Sequence, residues 1–288
     1  MKKLGICIPT YNRSKLLDRL LQTIPSIDDI MISVCDDGSS DETHQIVKNH
    51  QSRISINYRY QSNKGRASAL RESILNIKAE FIMIVDSDDY FEKKGIETIY
   101  QFLLTNSSAS FLVFPTTVIK NTRHISVSLS GIPSINYISL RSDYKVKYDL
   151  QEVIHHKLLL DILYDDPIDI RRIPTSYLWF KASTYVKCLP ADTPPVKIKE
   201  YLIDGMSANL LPLKVRYPKH MVDKYKIAIQ CKEYKSLLYR FKYTILFYRY
   251  SFHNKTLKLL NFADFPFYLI GYIYGFFDLL RLLIFFKK

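Results

Sequence analysis

The chain has 288 residues, of which 47% are hydrophobic and 24% are charged. This composition is that of an ordinary globular protein and excludes wholesale disorder, and the length allows one large α/β domain with an appendage or two modest domains. The net charge of +13 is unusual and predicts attraction to a polyanion, for which nucleotide phosphates, nucleic acid and acidic lipid headgroups are the candidates.

The first 118 residues alternate between strand-like and helix-like patterns. In chain order the predicted strand and helix pairs are Leu4–Pro9 and Lys15–Ile24, Met31–Cys35 and Thr43–Asn49, Ile54–Tyr60 and Ala67–Ile77, and Phe81–Val85 and Gly95–Leu104. Such alternation predicts an α/β fold with a mostly parallel sheet flanked by helices.

The loop before the second predicted helix carries several polar residues. Ser39 and Glu42 have the spacing of a capping box, and Asp41 falls within the predicted first turn. We therefore predict that these three side chains start the helix rather than take part in chemistry.

Polar residues also follow the predicted strands, namely Thr10, Asp36, Asn63 and Asp86. Because open α/β sheets bind ligands beyond the carboxyl ends of their strands, these residues predict one shared crevice. Asp86 is the most informative of them, since residues two apart in a strand face the same side and Asp86 and Asp88 can therefore point at one divalent cation. The same pattern also occurs in solvated turns and helix caps.

The cysteines show no paired spacing of the zinc or redox type, so we expect reduced cysteines in the core of a cytosolic protein. They are Cys7, Cys35, Cys188 and Cys231. The start of the chain has only a short apolar run, Leu4–Ile8, after Met1-Lys2-Lys3. A secretory signal has a longer apolar core, so we expect that the protein is not exported.

The composition changes along the second half of the chain. Residues 119–180 contain Ser-rich and Tyr-rich stretches and an acidic cluster at 165–169, and we interpret them as an acceptor-side region. Between Lys224 and Lys258 there are nine Lys or Arg residues and six Tyr residues but one acid, Glu233. The positive charge of the protein is therefore concentrated here.

The last stretch, Phe262–Phe286, is rich in aromatic residues and leucine. Its longest uncharged run, Phe265–Phe277, has 13 residues, whereas a helix that spans a bilayer needs about 20 apolar residues. We predict an interfacial or shallowly inserted helix that contacts anionic lipid together with the basic segment. Burial against the main domain or in a dimer, and true spanning, stay open as alternatives.

Taken in order, the strand ends are Pro9-Thr10-Tyr11-Asn12-Arg13, Cys35-Asp36-Asp37-Gly38-Ser39, Asn63-Lys64-Gly65-Arg66-Ala67 and Asp86-Ser87-Asp88-Asp89. This series resembles the family 2 glycosyltransferases of the GT-A fold, over the part of the chain up to about residue 110. The resemblance implies a Rossmann-like α/β domain and an enzyme that takes a sugar from a nucleotide-sugar donor, usually a UDP-sugar.

The same resemblance implies roles for particular residues. Asp36 would accept a hydrogen bond from the uracil imide, Asp86 would bind the ribose hydroxyls, and Asp88, with Asp86 beside it, would hold Mg²⁺ or Mn²⁺ against the diphosphate. For Asp36 a turn-forming cap ahead of Gly38 is the alternative, and Asp89 would orient Asp88 or face the acceptor. The remaining residues of the implied donor site are Pro9, Thr10, Tyr11, Arg13, Asp37, Asn63, Arg66 and Ser87.

An inverting transfer also needs a base that takes the proton of the acceptor hydroxyl. In the family this base belongs to an acidic pair, whereas here Glu200 has no acidic neighbour and Asp204 lies one helical turn later. Glu200 and Asp204 are therefore the two catalytic candidates. Asp192, the 165–169 cluster and the absence of a working base stay open.

We therefore predict a GT-A domain over residues 1–222, with a nucleotide-sugar-binding half (1–118) and an acceptor-side half (119–222), followed by a helical, membrane-associating extension (223–288). The predicted activity is inverting, metal-dependent transfer of a hexose or hexosamine to a glycan or lipid-linked acceptor of surface polysaccharide synthesis. The predicted location is the inner face of the cell membrane, where the protein is peripheral.

Two other classes of function agree with part of the sequence. A catalytically silent nucleotide-sugar-binding scaffold at the membrane is the alternative, and the irregular base motif is what favours it. A nucleic-acid binder is suggested by the charge and the tyrosines. It is disfavoured because the basic residues adjoin an apolar tail, so we expect no nucleic-acid partner.

Overall fold

The computed structural model describes residues 1–120, 122–165, 170–200 and 210–285. The chain divides into two compact units, each assembled from several stretches. Unit 1 consists of Met1–Ile135, Lys147–Arg171 and Val186–Tyr201, and unit 2 consists of Asn136–Val146, Arg172–Tyr185 and Leu202–Lys288. The domain boundaries expected from the sequence, 1–222 and 223–288, stay a prediction.

The described strands all belong to unit 1 and form two sheets. They are β1 (Lys2–Thr10), β2 (Ile30–Asp36), β3 (Ile56–Tyr60), β4 (Ala79–Ile84), β5 (Tyr90–Phe91), β6 (Phe111–Phe114), β7 (Thr116–Lys120), β8 (Arg123–Ser126), β9 (Gln151–His155), β10 (Leu189–Pro190) and β11 (Lys197–Glu200). The larger sheet has seven strands in the order β10-β6-β9-β4-β1-β2-β3, and the smaller has four in the order β5-β11-β7-β8. In the larger sheet β9 is antiparallel to β4 and β6, and the other pairs are parallel.

The described helices are α1 (Ser14–Gln22), α2 (Thr43–His50), α3 (Arg66–Leu75), α4 (Gly95–Thr105), α5 (Tyr137–Ser142), α6 (His156–Ile162), α7 (Thr175–Ala182), α8 (Leu210–Arg216), α9 (Lys219–Gln230), α10 (Leu237–His253) and α11 (Phe265–Phe285), with a short 3₁₀ turn at Phe262–Asp264. Helices α1 to α4 and α6 lie in unit 1, and the others lie in unit 2. The predicted α/β fold with a mostly parallel sheet is confirmed, as is a helical C-terminal extension.

Strand β1 lies at the centre of unit 1, between β2 and β4. Its residues Leu4, Ile6 and Ile8 are fully buried, as are residues of α1 spaced three and four apart, Leu17, Leu20 and Leu21. The period of two on the strand and the period near 3.6 on the helix direct these side chains into one core. Each buried side chain of this size contributes about 1.5–3 kcal/mol.

The start of α2 corrects the capping-box prediction. The helix begins at Thr43, and the Asp41 carboxylate accepts hydrogen bonds from the Thr43 N–H at 3.1 Å and from the Thr43 hydroxyl at 2.5 Å. Glu42 makes no capping bond, and Ser39 Oγ instead accepts from the Asn12 N–H at 2.8 Å. Asp41 therefore lies two residues before the helix, and its side chain accepts the hydrogen bonds at the helix start. Ser39 instead connects the loop after β2 to the loop after β1.

In unit 2, helices α10 and α11 pack closely against each other. A Cβ atom added at Gly271 would lie 2.5 Å from Tyr248 Cβ, and one added at Gly275 would lie 2.5 Å from the Phe252 ring. Small residues one turn apart allow the two helix backbones to approach each other.

The cysteines are all free thiols. Cys7, Cys35 and Cys188 are buried, as predicted, whereas Cys231 is only partly buried.

Asp278 of α11 is the buried charge of this helix pair. Its carboxylate accepts hydrogen bonds from Arg249 of α10 at 2.7 Å (Nε) and 2.5 Å (Nη2), and His253 Nε2 lies 3.1 Å away. The Asp278 side chain is only 2% exposed. These partners compensate the carboxylate, because a buried charge without a partner is strongly destabilising.

Helices α10 and α11 also carry large exposed apolar side chains, among them Leu237, Leu238, Phe241, Leu269, Ile273 and Phe277. Within the described ranges, no helix has both the length and the apolar character needed to cross a membrane. Contact of this extension with a membrane surface stays a prediction.

We expect Asp278→Ala to destabilise unit 2 by about 3–5 kcal/mol, because the change leaves the Arg249 charge without its buried partner. Burial alone would raise the pKa of Asp278, but the hydrogen bonds from His253 and Arg249 hold this pKa below its ordinary value. The stability that Asp278 contributes is therefore complete above about pH 4 and is lost as the pH falls through the lowered pKa.

Urea unfolding followed by circular dichroism at several pH values measures this loss. Asp264→Ala is the matched control, since Asp264 is partly exposed and accepts only a 3.3 Å bond from the Tyr248 hydroxyl and a 3.5 Å bond from Asn261. Equal losses in the two variants would contradict the role given to Asp278.

Candidate functional site

The predicted strand-end residues meet at one edge of the larger sheet in unit 1. Strands β1, β2 and β4 are adjacent and parallel, so their carboxyl ends lie side by side. Thr10 ends β1 and Asp36 ends β2 at the same level of the sheet, and the Asp37 N–H donates to the Thr10 carbonyl at 2.8 Å. Asp86 follows β4 by two residues.

Asp36 and Tyr58 form the first polar pair at this edge. The Asp36 carboxylate accepts hydrogen bonds from the Ser39 N–H at 2.8 Å (Oδ1) and from the Tyr58 hydroxyl at 2.7 Å (Oδ2). Burial, and then the hydrogen bond to Asp36, raises the pKa of Tyr58. The Tyr58 hydroxyl therefore stays protonated and keeps Asp36 in place, a role that the sequence analysis missed.

Asp37 organises the loop that precedes α3. Its carboxylate accepts from Gln61 Nε2 at 2.6 Å, from the Lys64 N–H at 2.8 Å and from the Gly65 N–H at 2.8 Å. Two of these donors are backbone N–H groups of a loop, which has no neighbouring strand to accept their hydrogen bonds. Asp37 accepts them instead, and leaving them buried without a partner would be costly. The contacts of Asp37 within the chain are thus those of a positioning residue.

Gly65 brings this loop against residue 171. Its φ of +95° lies in the region that favours glycine, and an added Cβ would lie 2.5 Å from Arg171 Cα. Arg171 in turn accepts from the Ala67 N–H at 3.2 Å and donates from Nη1 to Asn63 Oδ1 at 2.9 Å. Asn63 is therefore held at the edge by Arg171.

The turn after β4 presents Asp86 between two cations. Arg66 at the start of α3 donates to Asp86 Oδ1 from Nε at 2.9 Å and also from Nη2, and Lys199 Nζ lies 3.5 Å from Oδ2. Burial alone would raise the pKa of Asp86, but Arg66 and Lys199 outweigh it and hold the pKa well below its ordinary value. Asp86 is therefore ionised in the physiological range.

Asp88 in the same turn is paired with Arg13. Arg13 Nη1 lies 2.5 Å from Asp88 Oδ2, and the Asp88 side chain is 21% exposed. Arg19 of α1 donates to the Asp88 carbonyl at 2.8 Å and holds the turn from its backbone. Asp88 and Asp86, whose side chain is 31% exposed, are thus the partly open carboxylates of this turn, in contrast to Asp89.

Asp89 is enclosed in the protein. Lys197 Nζ lies 2.5 Å from its Oδ2 and Lys199 Nζ lies 3.8 Å from its Oδ1, and the Asp89 side chain is only 2% exposed. The expectation that Asp89 faces an acceptor is therefore wrong, because Lys197 covers the carboxylate. Lys199 also lies 3.6 Å from Asp149, and its pKa is raised well above the ordinary value by Asp89, Asp86 and Asp149, against the lowering effect of burial.

Glu200, the first candidate for the base, ends β11. Its Oε2 lies 3.1 Å from Arg19 Nη1, and its side chain is about one-third exposed, at 35%. Arg19 binds both Glu200 and the Asp88 carbonyl. Glu200 is therefore fixed to the turn that carries Asp86, Asp88 and Asp89, called the acidic turn below. Asp204, the other candidate, and residues 166–169 of the acidic cluster lie outside the described residues. Asp192 accepts from the Ser130 hydroxyl at 3.0 Å.

The remaining predicted donor-site residues differ in exposure. Pro9, Thr10 and Ser87 are buried, and Tyr11 is 47% exposed. The buried Thr10 hydroxyl has no hydrogen-bond partner among the described residues. Buried hydroxyls almost always have a partner, so this atom has hydrogen-bonding capacity that the described residues do not use.

Four residues of this edge, Arg19, Tyr58, Lys197 and Lys199, are not among the site residues predicted from the sequence. The two lysines are two residues apart in β11, and such spacing in a short strand directs both side chains to one face. This spacing was a usable signal. Arg19 and Tyr58 carry no such signal, because an arginine on a helix and a tyrosine in a strand are common surface residues.

The acidic turn suits a sparse site for a hard cation. No group of three or more His, Cys, Asp or Glu side chains arranged for a metal occurs within the described ranges. Mg²⁺ is commonly held by one or two carboxylates together with substrate phosphates and water, and carboxylates also suit Mn²⁺. Asp88 and Asp86 meet that requirement, so the residues present fit such an ion.

A mostly parallel sheet with a polar carboxyl edge, followed by an acidic turn, is the arrangement expected of the GT-A fold, in which the ligand lies at this edge. Residues 5–157, a little over half of the chain, match the model of Glycosyl transferase family 2. The chain belongs to this family, as its strand-end motifs predicted.

Two relatives illustrate the sequence similarity. The chain is 29% identical over 119 residues to the poly(ribitol-phosphate) beta-N-acetylglucosaminyltransferase TarS of Staphylococcus aureus, and the match covers 39% of this chain and 21% of TarS. It is 31% identical over 110 residues to the GalNAc(5)-diNAcBac-PP-undecaprenol beta-1,3-glucosyltransferase of Campylobacter jejuni, with 35% of this chain and 34% of that protein covered. The matches therefore span about a third or less of either relative.

Two solved structures share the fold. TarS residues 1–349 in complex with UDP-GlcNAc superpose with a TM-score of 0.61 at 15% identity, over 93% of this chain and 79% of that one. A mannosyltransferase from Pyrobaculum calidifontis in complex with GDP-Man and Mn²⁺ gives a TM-score of 0.54 at 17% identity, over 93% and 73%. At these identities the similarity establishes the fold.

We expect Gly65→Ala to destabilise unit 1 by more than about 2 kcal/mol, because the added Cβ combines a φ penalty of about 1–2 kcal/mol with a clash against the Arg171 backbone. Gly131→Ala is the matched control. Gly131 also has a positive φ, +72°, but an added Cβ meets nothing within 4 Å. We expect this control to lose only the φ penalty, and urea unfolding measures both. Similar losses would show that the Gly65–Arg171 approach is not tight.

Proposed function

We propose that this protein transfers a sugar from a UDP-sugar to a saccharide acceptor with inversion at the anomeric carbon, and that it uses Mg²⁺ or Mn²⁺. The observation that carries the proposal is the position of Asp86 and Asp88, two partly exposed side chains of one turn, at the same sheet edge as Asp36. The family and the UDP-GlcNAc and Mn²⁺ complexes of the two structural neighbours support it.

The uracil base is assigned to Asp36 and to the β1 end. A carboxylate has about four lone-pair positions, and the chain itself uses two donors on Asp36, so capacity is left for the uracil imide N–H. The half-exposed ring of Tyr11 can stack on the base, and the unpartnered Thr10 hydroxyl beside it can bind the nucleotide. Pro9 and Ser87 shape the same edge.

The ribose and diphosphate are assigned to the loops around the acidic turn. Asp86 accepts from the ribose hydroxyls, and its two cations, Arg66 and Lys199, keep it ionised for that purpose. Asp88 and Asp86 would hold a divalent ion, and such an ion would stabilise the negative charge that the leaving diphosphate gains in the transition state. Arg13 and Arg66 add guanidinium groups that pair with phosphate. Asp37 and Asn63 hold the loop that carries Arg66.

Glu200 is proposed as the base that takes the acceptor proton. Arg19 fixes its carboxylate beside the acidic turn, and a base must be held in position before it can act. Asp204 is the second candidate. A catalytically silent nucleotide-sugar-binding protein is the alternative function, because the chain lacks the adjacent acidic pair expected of the family.

The acceptor is proposed to be a glycan or a lipid-linked saccharide of surface polysaccharide synthesis. The names of both relatives specify phosphate-containing acceptors, poly(ribitol-phosphate) for TarS and a PP-undecaprenol saccharide for the C. jejuni enzyme. The exposed apolar side chains of α10 and α11 support a peripheral position on the inner face of the cell membrane.

Hydrolysis of a panel of UDP- and GDP-sugars with and without Mn²⁺ tests the donor proposal. We expect one donor to be turned over, and we expect Asp88→Ala to lower that turnover by about 100-fold or more, because a group that stabilises developing charge is lost. Asp28→Ala, at an exposed aspartate of unit 1, is the matched control and keeps full turnover.

Unchanged turnover in Asp88→Ala would remove Asp88 from the site. Binding of UDP by the unmodified protein without turnover of any donor would support the silent alternative. Transfer assays on Glu200→Gln and Asp204→Asn, with UDP affinity measured in parallel, decide between the two bases: the base variant loses transfer and retains UDP affinity.

For the membrane proposal we expect the triple change Leu269→Ser, Ile273→Ser and Phe277→Ser to weaken binding to phosphatidylglycerol vesicles by about tenfold or more, since apolar area that enters the interface is removed. Vesicle flotation measures this effect, and Leu104→Ser, which removes an exposed leucine of unit 1, is the control. Loss of a dimer in sedimentation, with flotation unchanged, would identify the α11 face as a subunit interface.

A further inference from the structure

The ion pair between Arg13 and Asp88 is the most accessible one of the acidic turn. Among the described residues, Arg13 is the one cation within ion-pair distance of the Asp88 carboxylate, and its Nη1 lies 2.5 Å from Oδ2. The two side chains are 23% and 21% exposed, whereas those of the buried pair, Lys197 and Asp89, are 6% and 2% exposed. Water weakens the attraction within an exposed pair. A ligand can therefore replace the contact between Arg13 and Asp88 more easily than the contact between Lys197 and Asp89.

Asp86, the other partly open carboxylate, is held more firmly than Asp88. Arg66 donates to Asp86 Oδ1 from both Nε and Nη2, and Lys199 Nζ lies 3.5 Å from Oδ2. The Arg66 side chain is also more enclosed than that of Arg13. Asp86 thus has two cationic partners where Asp88 has one, so a ligand that displaces a cation from the turn displaces Arg13 first.

The backbone on both sides of Arg13 is fixed, and its side chain is the part that can move. Asn12 has a left-handed φ of +48°, which asparagine tolerates, and its Oδ1 accepts from the Ser40 N–H at 2.8 Å. The Ser14 N–H donates to Asp41 Oδ2 at 2.9 Å. An arginine side chain has several rotatable bonds, so Arg13 can change its partner while its backbone stays at the sheet edge.

The charges of the acidic turn are balanced within the protein. The described ion pairs join four carboxylates to four cations, namely Asp86, Asp88, Asp89 and Asp149 to Arg13, Arg66, Lys197 and Lys199. A divalent cation that binds alone adds positive charge to this neutral group and is repelled by Arg13 at the same carboxylate. The diphosphate of a nucleotide-sugar carries a negative charge on each phosphate. It therefore balances the added cation, and its oxygens are good partners for a guanidinium group.

We propose that Arg13 exchanges Asp88 for the donor diphosphate, and that Asp88 binds a divalent cation tightly only together with the nucleotide. In the empty site Arg13 neutralises Asp88, and in the occupied site it pairs with phosphate and leaves the carboxylate to the cation. By thermodynamic linkage, the cation and the nucleotide each tighten the binding of the other by the same factor. This inference rests on the proposed function, because it makes the cation and the donor of that site depend on each other.

Binding of Mn²⁺ to the full chain, followed through the electron paramagnetic resonance signal of the free ion, tests the proposal without any turnover. We expect the unmodified chain to bind Mn²⁺ at least about tenfold more tightly with UDP than without it. Mn²⁺ bound by UDP alone is measured without protein and subtracted. We expect Arg13→Gln to bind Mn²⁺ without UDP about tenfold more tightly than the unmodified chain, because the competing charge is removed.

Two further variants separate the exchange from a general loss of positive charge. Arg13→Lys keeps a cation beside Asp88, so we expect it to bind Mn²⁺ without UDP as weakly as the unmodified chain. Arg59→Gln is the matched control, since Arg59 is an exposed arginine of unit 1 that pairs with Glu72, and it keeps the Mn²⁺ affinity of the unmodified chain. A purely structural role for Arg13 would lower Mn²⁺ binding in Arg13→Gln or leave it unchanged, whereas the exchange raises it.

The outcomes separate failure of this inference from failure of the proposed function. Equal Mn²⁺ affinity of the unmodified chain with and without UDP would overturn the exchange and leave the proposed function intact. The same holds if Arg13→Gln gains no affinity for Mn²⁺, or if Arg59→Gln gains as much as Arg13→Gln. If the unmodified chain binds UDP but binds Mn²⁺ under neither condition, the metal dependence of the proposed function fails, and this inference fails with it.

Discussion

The pairing of the carboxylates after β4 with cations from distant parts of the chain is the interaction on which the site depends. Asp86, Asp88 and Asp89 lie within four consecutive residues, and such close negative charges repel one another when water is excluded. Arg66, Arg13 and Lys197 each pair with one of them, and Lys199 lies between two. These four cations compensate the charge of the turn, in which Asp89 is buried and Asp86 and Asp88 are partly exposed.

This pairing also joins the elements of unit 1. Arg13 comes from the loop after β1, Arg66 from the start of α3, and Lys197 and Lys199 from β11 of the second sheet. Arg19 extends the same network from the Asp88 carbonyl to Glu200. Groups whose orientation is held by such contacts before a ligand arrives need little reorganisation during a reaction, and this is the main way in which proteins stabilise developing charge.

Unit 2 differs from unit 1 in its charge. Unit 1 surrounds its acidic turn with cations, whereas unit 2 contains the basic segment between Lys224 and Lys258 and pairs the buried carboxylate of Asp278 with Arg249 and His253. The net charge of +13 is thus distributed unevenly over the chain.

The sequence by itself determined the alternation of strands and helices over the first 118 residues, the family, and the strand-end position of Thr10, Asp36, Asn63 and Asp86. These features follow from local periodicity and from the rule that parallel strands end at one edge of the sheet. Short stretches of sequence are therefore enough to infer them. Only the tertiary structure decided that Asp41 rather than Ser39 starts α2, that Lys197 covers Asp89, that Tyr58 holds Asp36 and that Arg19 holds Glu200. Each of these contacts requires two polar groups to come within about 3 Å of each other. Where the two groups belong to separate helices, strands or loops, the packing of those elements sets this distance, and the spacing of residues along the chain does not reveal it.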